Sequence, residues 1–177
     1  MLRSFLVPLV VLLLLPSFGR AMMTQDLAIT LHPDQQLLEG RAILHGNPAP
    51  GKEAVFFLAS GTEVMAVKKA QKPIPYRFEN GRLFIWDTAP DTPTTIDYRI
   101  RFDNLLPKNM VNIEDPSFGI AATITPEGTY LSEASGWHPR PASNRSRYRV
   151  AISGPPGLVG VTSGTVPSSV RHRGNSA

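Results

Sequence analysis

The sequence predicts an all-β chain, folded as an antiparallel β-sandwich or a curved, saddle-like sheet and preceded by a signal peptide. Three observations carry this. Apolar residues recur at every second position wherever the chain shows a pattern, most clearly in Thr94-Thr95-Ile96-Asp97-Tyr98-Arg99-Ile100-Arg101-Phe102-Asp103, whose faces are Ile, Tyr, Ile, Phe on one side and polar on the other. Alternate side chains of a strand point to opposite faces of a sheet, so this run is a half-buried strand. The pair Asn80-Gly81 lies between two such runs and supplies the positive φ angles of a type I′ hairpin turn. After residue 22, no window of about 11 residues holds apolar positions at i, i+3, i+4 and i+7. Prolines such as Pro73, Pro90, Pro107, Pro126 and Pro141 keep interrupting the chain, which nearly excludes helix.

The elements follow in order. Residues 1–21 begin with a charge at Arg3, continue as the apolar run Phe5 to Leu15 and end with small residues at Gly19 and Ala21. This is the pattern of a secretory signal peptide cleaved after Ala21, and the run is shorter than the ~20 apolar residues of a membrane span. Export to a periplasm or to the outside of the cell is the expectation, with no stable membrane span after cleavage. Short strands are predicted at Leu27 to Leu31, Leu38 to His45, Val55 to Leu58, Val64 to Lys68 and Val159 to Thr162, and longer ones at 94–103 and 146–152. The hairpin over Tyr76 to Trp86 has a definite register. Glu79 faces Arg82, Phe78 faces Leu83 and Tyr76 faces Ile85, while Phe84 and Trp86 fall on the other side, so the hairpin is expected to be covered on both faces or to lie against a neighbouring domain. Residues 22–167 make one domain, and 168–177 lose the alternation and read as a frayed tail.

Composition narrows the function. The chain has 177 residues, 42% hydrophobic and 18% charged, enough for one packed core and no second large domain. Cleavage removes Arg3 and Arg20 and no acid, so the formal charge falls from +4 to +2. The remaining arginines form no dense run, which argues against nucleic acid as a partner. There is no cysteine, hence no disulfide framework and no thiolate chemistry.

His32, His45, His138 and His172 share no metal-ligand spacing, no H-E-x-x-H run exists and no G-x-S-x-G elbow exists. The stretch Asn112-Ile113-Glu114-Asp115-Pro116 reads as a solvated turn rather than a carboxylate pair or calcium loop. Trp86, Tyr130 and Trp137 read as packing aromatics rather than a sugar platform, and Asn144-Arg145-Ser146 matches a glycosylation acceptor. No catalytic, cofactor-binding or metal-binding residue is nominated.

A longer pattern runs through Gly128-Thr129-Tyr130-Leu131-Ser132, Gly136-Trp137-His138-Pro139, Arg147 to Gly157 and Val161-Thr162-Ser163-Gly164. It resembles the amino-terminal β domain of the M1 family of zinc aminopeptidases, where a G-x-Y-L strand leads to a W-[YH]-P turn, an alternating strand ending in P-x-G and a V-x-S-x-G strand. The opening from Leu27 to Ala42, with Leu38-Glu39-Gly40-Arg41-Ala42 as L-x-G-x-A, is similar to that family's first hairpin. The resemblance covers about residues 25–166. It implies a non-catalytic β domain that packs against a catalytic metallopeptidase domain and shapes its substrate cleft. The family's G-x-M-E-N loop and H-E-x-x-H zinc motif are absent from this sequence, so no activity is expected of this chain alone. Zinc would belong to the catalytic domain of a parent protein. The alternative is a free-standing exported β-sandwich that binds a peptide edge-on or a glycan.

Overall fold

A computed structural model describes residues 23–46, 53–86, 92–102, 121–142 and 146–157. Among these, 65% are strand and no α-helix occurs. The strands are β1 (Met23–His32), β2 (Leu37–His45), β3 (Ala54–Phe57), β4 (Thr62–Lys69), β5 (Lys72–Pro73), β6 (Tyr76–Glu79), β7 (Arg82–Ile85), β8 (Thr94–Arg101), β9 (Ala122–Thr125), β10 (Gly128–Leu131), β11 (Arg140–Pro141) and β12 (Ser146–Ser153). They form a six-stranded sheet in the order β12-β1-β2-β8-β4-β5, a four-stranded sheet β11-β3-β7-β6 and the pair β10-β9. The proposed signal segment 1–21, the strand predicted at 159–162, the acidic turn at 112–116, the acceptor Asn144 and the tail 168–177 lie outside the described residues.

Local sequence starts the large sheet. A 3₁₀ turn at Pro33–Gln35 reverses the chain between β1 and β2, and Gln36 closes it with φ 53° and an N–H donated to the Pro33 carbonyl at 3.1 Å. The register runs from Thr24 opposite His45 to His32 opposite Leu37. It buries Leu27, Ile29, Leu31, Leu38, Ala42 and Leu44 on one face. Ile96, Tyr98 and Ile100 of β8 join them, so the alternation in the sequence became the core side of the central strand. On the polar side Asp97 accepts from Arg41 Nε at 2.6 Å and Lys68 Nζ at 3.1 Å, one donor from each flanking strand. Burial alone would raise this carboxyl, but those two cations outweigh it and hold Asp97 below the usual carboxylate range.

Gly40 has a steric reason. It stands opposite Tyr98, and a Cβ there would lie 2.2 Å from the tyrosine Cζ. The missing side chain of one strand makes room for the ring of the next.

The hairpin forms in the predicted register, with Glu79 opposite Arg82, Phe78 opposite Leu83 and Tyr76 opposite Ile85. Among the described residues one face is covered and the other is left for a neighbour: Leu83 and Ile85 are buried, whereas on the other side Arg77 lies 4.5 Å over the Phe84 ring and Trp86 stays 48% exposed. The guanidinium takes the place of an apolar neighbour there. Pairing is antiparallel throughout except at β12, which lies parallel to β1. The chain reaches it only after crossing the small sheet, a connection too long for a hairpin. As a terminal strand, β12 is also largely exposed, although its alternation matches that of the buried strands.

Candidate functional site

Residues 136–141 join the two larger sheets. Gly136 ends a short 3₁₀ turn (Glu133–Ser135) with φ 68°, and its carbonyl accepts the Ala59 N–H at 2.9 Å. A Cβ at Gly136 would stand 2.5 Å from the Ala59 nitrogen, so only glycine permits this approach. Trp137 follows, buried, with its carbonyl accepting the Tyr98 hydroxyl of the large sheet at 3.1 Å. Burial pushes the Tyr98 phenol up, which keeps it a donor. Arg140 and Pro141 then pair with Phe57 and Phe56 of the small sheet.

The aromatic rings of this joint form a cluster. Trp137 meets His138 edge-on at 4.4 Å between centroids and Tyr148 of β12 at 6.0 Å, and His138 lies 5.0 Å from Tyr148. His138 Nδ1 is 3.3 Å from the Pro139 carbonyl oxygen. Desolvation, aided by the nearby Arg140 charge, outweighs that carbonyl and Glu133 and lowers the His138 pKa to about 4, so the ring is neutral near pH 7.

Beside the joint lies a groove of about 1070 Å³. One wall is the apolar side of β1 and β12, including Ile29, Val150 and Ile152, and another is the β9–β10 hairpin with Tyr130. Trp137, His138 and Tyr148 also line it. Among the described residues its carboxylates are Asp34, Glu127 and Glu133, and none of its lining residues is Lys or Arg. Glu133 is offset by Arg140 Nη1 at 3.7 Å. The Thr125 hydroxyl and the Glu127 N–H hold the Glu127 carboxyl below its usual range. Ser132, the groove's serine, donates its hydroxyl to the Ala121 carbonyl at 2.6 Å rather than to a base. Shape, apolar surface and aromatic edges are what this groove offers, which suits contact more than bond making.

The residues weighed in the sequence are dispersed. His45 pairs with Asp26 at 2.9 Å and His32 approaches Glu39 at 3.4 Å, at separate places on the large sheet, while His138 sits in the joint. His172 lies outside the described residues. No three His, Asp or Glu side chains converge as metal ligands among the described residues, and no step through zinc is assigned to them. Trp137 is buried, as expected of a packing residue, whereas Tyr130, which shares its groove, and Trp86, which follows β7, are each 48% exposed. Local sequence does not point to Tyr98 or Tyr148 here, because one reaches the Trp137 carbonyl across 39 residues and the other meets the Trp137 ring from the end of the large sheet.

No protein-family model matches the chain, and no curated protein matches it. Among solved structures, the M1 zinc metallopeptidase of Deinococcus radiodurans is similar: its E323A mutant bound to a Tyr-Ser-Ala substrate superposes with TM-score 0.52 at 20% identity, over 80% of this chain and 34% of that one. The same enzyme without the substitution gives TM-score 0.52 at 19% identity, over 79% and 34%. This chain thus spans about a third of that metallopeptidase and shares the fold of that part.

Proposed function

We propose that this chain is the non-catalytic amino-terminal β domain of an exported, M1-like zinc metallopeptidase of the aminopeptidase class, packing against the catalytic part and shaping its substrate cleft. The observation that carries the reading is the shared fold, which accounts for most of this chain and only 34% of the Deinococcus enzyme. The remainder of such an enzyme would supply the zinc site and the amino-group loop. Two features support the division of labour. The segment Gly136-Trp137-His138-Pro139 is used here to lock two sheets together, and among the described residues the groove's Ser132 hydroxyl is given to a backbone carbonyl and not to a base. Such a domain contributes position and surface, while bond cleavage needs activated water from elsewhere. Export rests on residues 1–21.

The native transcript tests this. The reading frame that encodes residues 22–177 is expected to continue into a segment carrying H-E-x-x-H, and the protein purified from its host is expected to begin at Met22. A stop codon directly after Ala177 with no separate metallopeptidase co-purifying would contradict the reading, and an amino terminus at Met1 would contradict export.

A further inference from the structure

The turn between β6 and β7 carries the only Asn-Gly pair of the sequence. Asn80 is exposed with φ 49°, and Gly81 behind it is buried with φ 76°. The turn is held from one side. The Gly81 carbonyl accepts the Leu58 N–H at 2.9 Å, and a Cβ on Gly81 would stand 2.8 Å from the Leu58 oxygen. The next residue, Ala59, donates its N–H to the Gly136 carbonyl at 2.9 Å, so two successive amides tie the hairpin tip to the start of the joint. Thr62 fastens the same loop from behind, giving its N–H at 3.0 Å and its hydroxyl at 2.7 Å to the Ala59 carbonyl.

We propose that Asn80 is a site of spontaneous deamidation, gated by opening of this turn, and that its isoaspartate product releases the hairpin from the joint. The Gly81 nitrogen attacks the side-chain carbonyl carbon of Asn80 and forms an N–Cγ bond. The Cγ–Nδ2 bond breaks, and ammonia leaves with the proton of the Gly81 N–H. Water, the one co-reactant, then opens the succinimide ring, at Cγ to give aspartate or at the backbone carbonyl of residue 80 to give isoaspartate. Nothing is oxidised or reduced. Glycine favours the attack because no Cβ crowds its nitrogen. The folded turn opposes it. With both residues at positive φ, a type I′ turn points the Asn80 Cβ away from the Gly81 nitrogen, so the ring closes only when the tip lets go of Leu58. Isoaspartate carries the chain through Cβ and Cγ, one carbon longer, and the lengthened turn no longer sets Glu79 opposite Arg82. The Gly81 carbonyl is displaced with it, and the loop that also bonds Gly136 loses one of its ties. The inference goes beyond the metallopeptidase reading and stands whether or not that reading holds.

The test follows the full chain, native and unfolded in urea at one pH and temperature, by mass spectrometry of the peptide that holds residue 80 and by isoaspartyl methyltransferase labelling. The native chain is expected to form isoaspartate at residue 80 about tenfold or more slowly than the unfolded chain, the ratio reporting the local opening. The modified native chain, separated from the unmodified one, should show faster amide exchange at Leu58 and a lower urea midpoint. Asn80→Asp adds the charge without lengthening the chain and should keep both near those of the unmodified protein, since Asp-Gly also suits the turn. A native chain that converts as fast as the unfolded one, or that yields no product at residue 80, would overturn the proposal. A modified chain with unchanged exchange at Leu58 and an unchanged midpoint would do the same. So would an Asn80→Asp variant as destabilised as the isoaspartate form, which assigns the effect to charge.

Discussion

The molecule holds two tryptophans in opposite situations. Trp137 is 7% exposed and sits where two sheets meet, between a glycine that only a positive φ could place and a proline pair that fixes the backbone beyond it. Trp86 is 48% exposed at the end of β7, on the hairpin face that Arg77 covers only as far as Phe84. Burial of the same indole depends here on whether distant segments converge on it. Around Trp137 the large sheet sends Tyr98 and Tyr148, and the small sheet accepts Gly136 and Arg140 through backbone bonds. Around Trp86 nothing comparable arrives from the described residues.

Breaking the first site should therefore have the larger effect. Trp137→Ala removes the ring that fills the joint and is expected to lower unfolding stability by about 3 to 5 kcal/mol, read as a fall in the urea midpoint. A loss below about 1 kcal/mol would mean that the joint closes without it.

The next effect is in pH. The His138 pKa is lowered in the folded chain from 6.5 to about 4, so the unfolded chain binds the extra proton first as the solution is acidified. Stability from this group is complete above about pH 6.5 and declines as pH falls toward about 4, by roughly 3 kcal/mol in all. Denaturation midpoints measured between pH 7 and 4 should show that slope, and His138→Gln should flatten it. A slope identical in the variant would assign the acid sensitivity to the carboxylates instead.

The smallest effect is expected at the second tryptophan. Trp86→Ala should change stability by no more than about 0.5 kcal/mol, as an exposed substitution usually does. A loss as large as that at Trp137 would show that the comparison is wrong and that something covers this ring.

The difference also explains what was legible in the sequence. Alternation at 94–103 and the Asn-Gly turn are local signals; the first became β8 and the second a hairpin in the register stated for it. The G-W-H-P segment was legible as a turn around a packing aromatic, since glycine before and proline after limit the backbone. What it joins was not legible. Tyr98 finds the Trp137 carbonyl across 39 residues, and Gly40 makes room for Tyr98 across a strand pair fixed only by the whole sheet. The two-residue strands β5 and β11 carry no periodicity to read. β12 formed where a strand was predicted at 146–152, yet its apolar face is only partly covered, because exposure is decided by the neighbours in the sheet and not by the strand's own residues.

The central claim is that this β domain serves a metallopeptidase without performing the cleavage itself. Complementation measures this directly: the catalytic part that the proposal places downstream is produced separately, and release of amino acids from a peptide substrate is followed as the full chain is added. The account predicts no zinc-dependent turnover from the chain alone, a rise in the catalytic part's turnover that saturates at equal stoichiometry, and no rise with Trp137→Ala. Zinc-dependent release of amino acids by the purified chain alone, or a catalytic part whose turnover is indifferent to the chain, would contradict it.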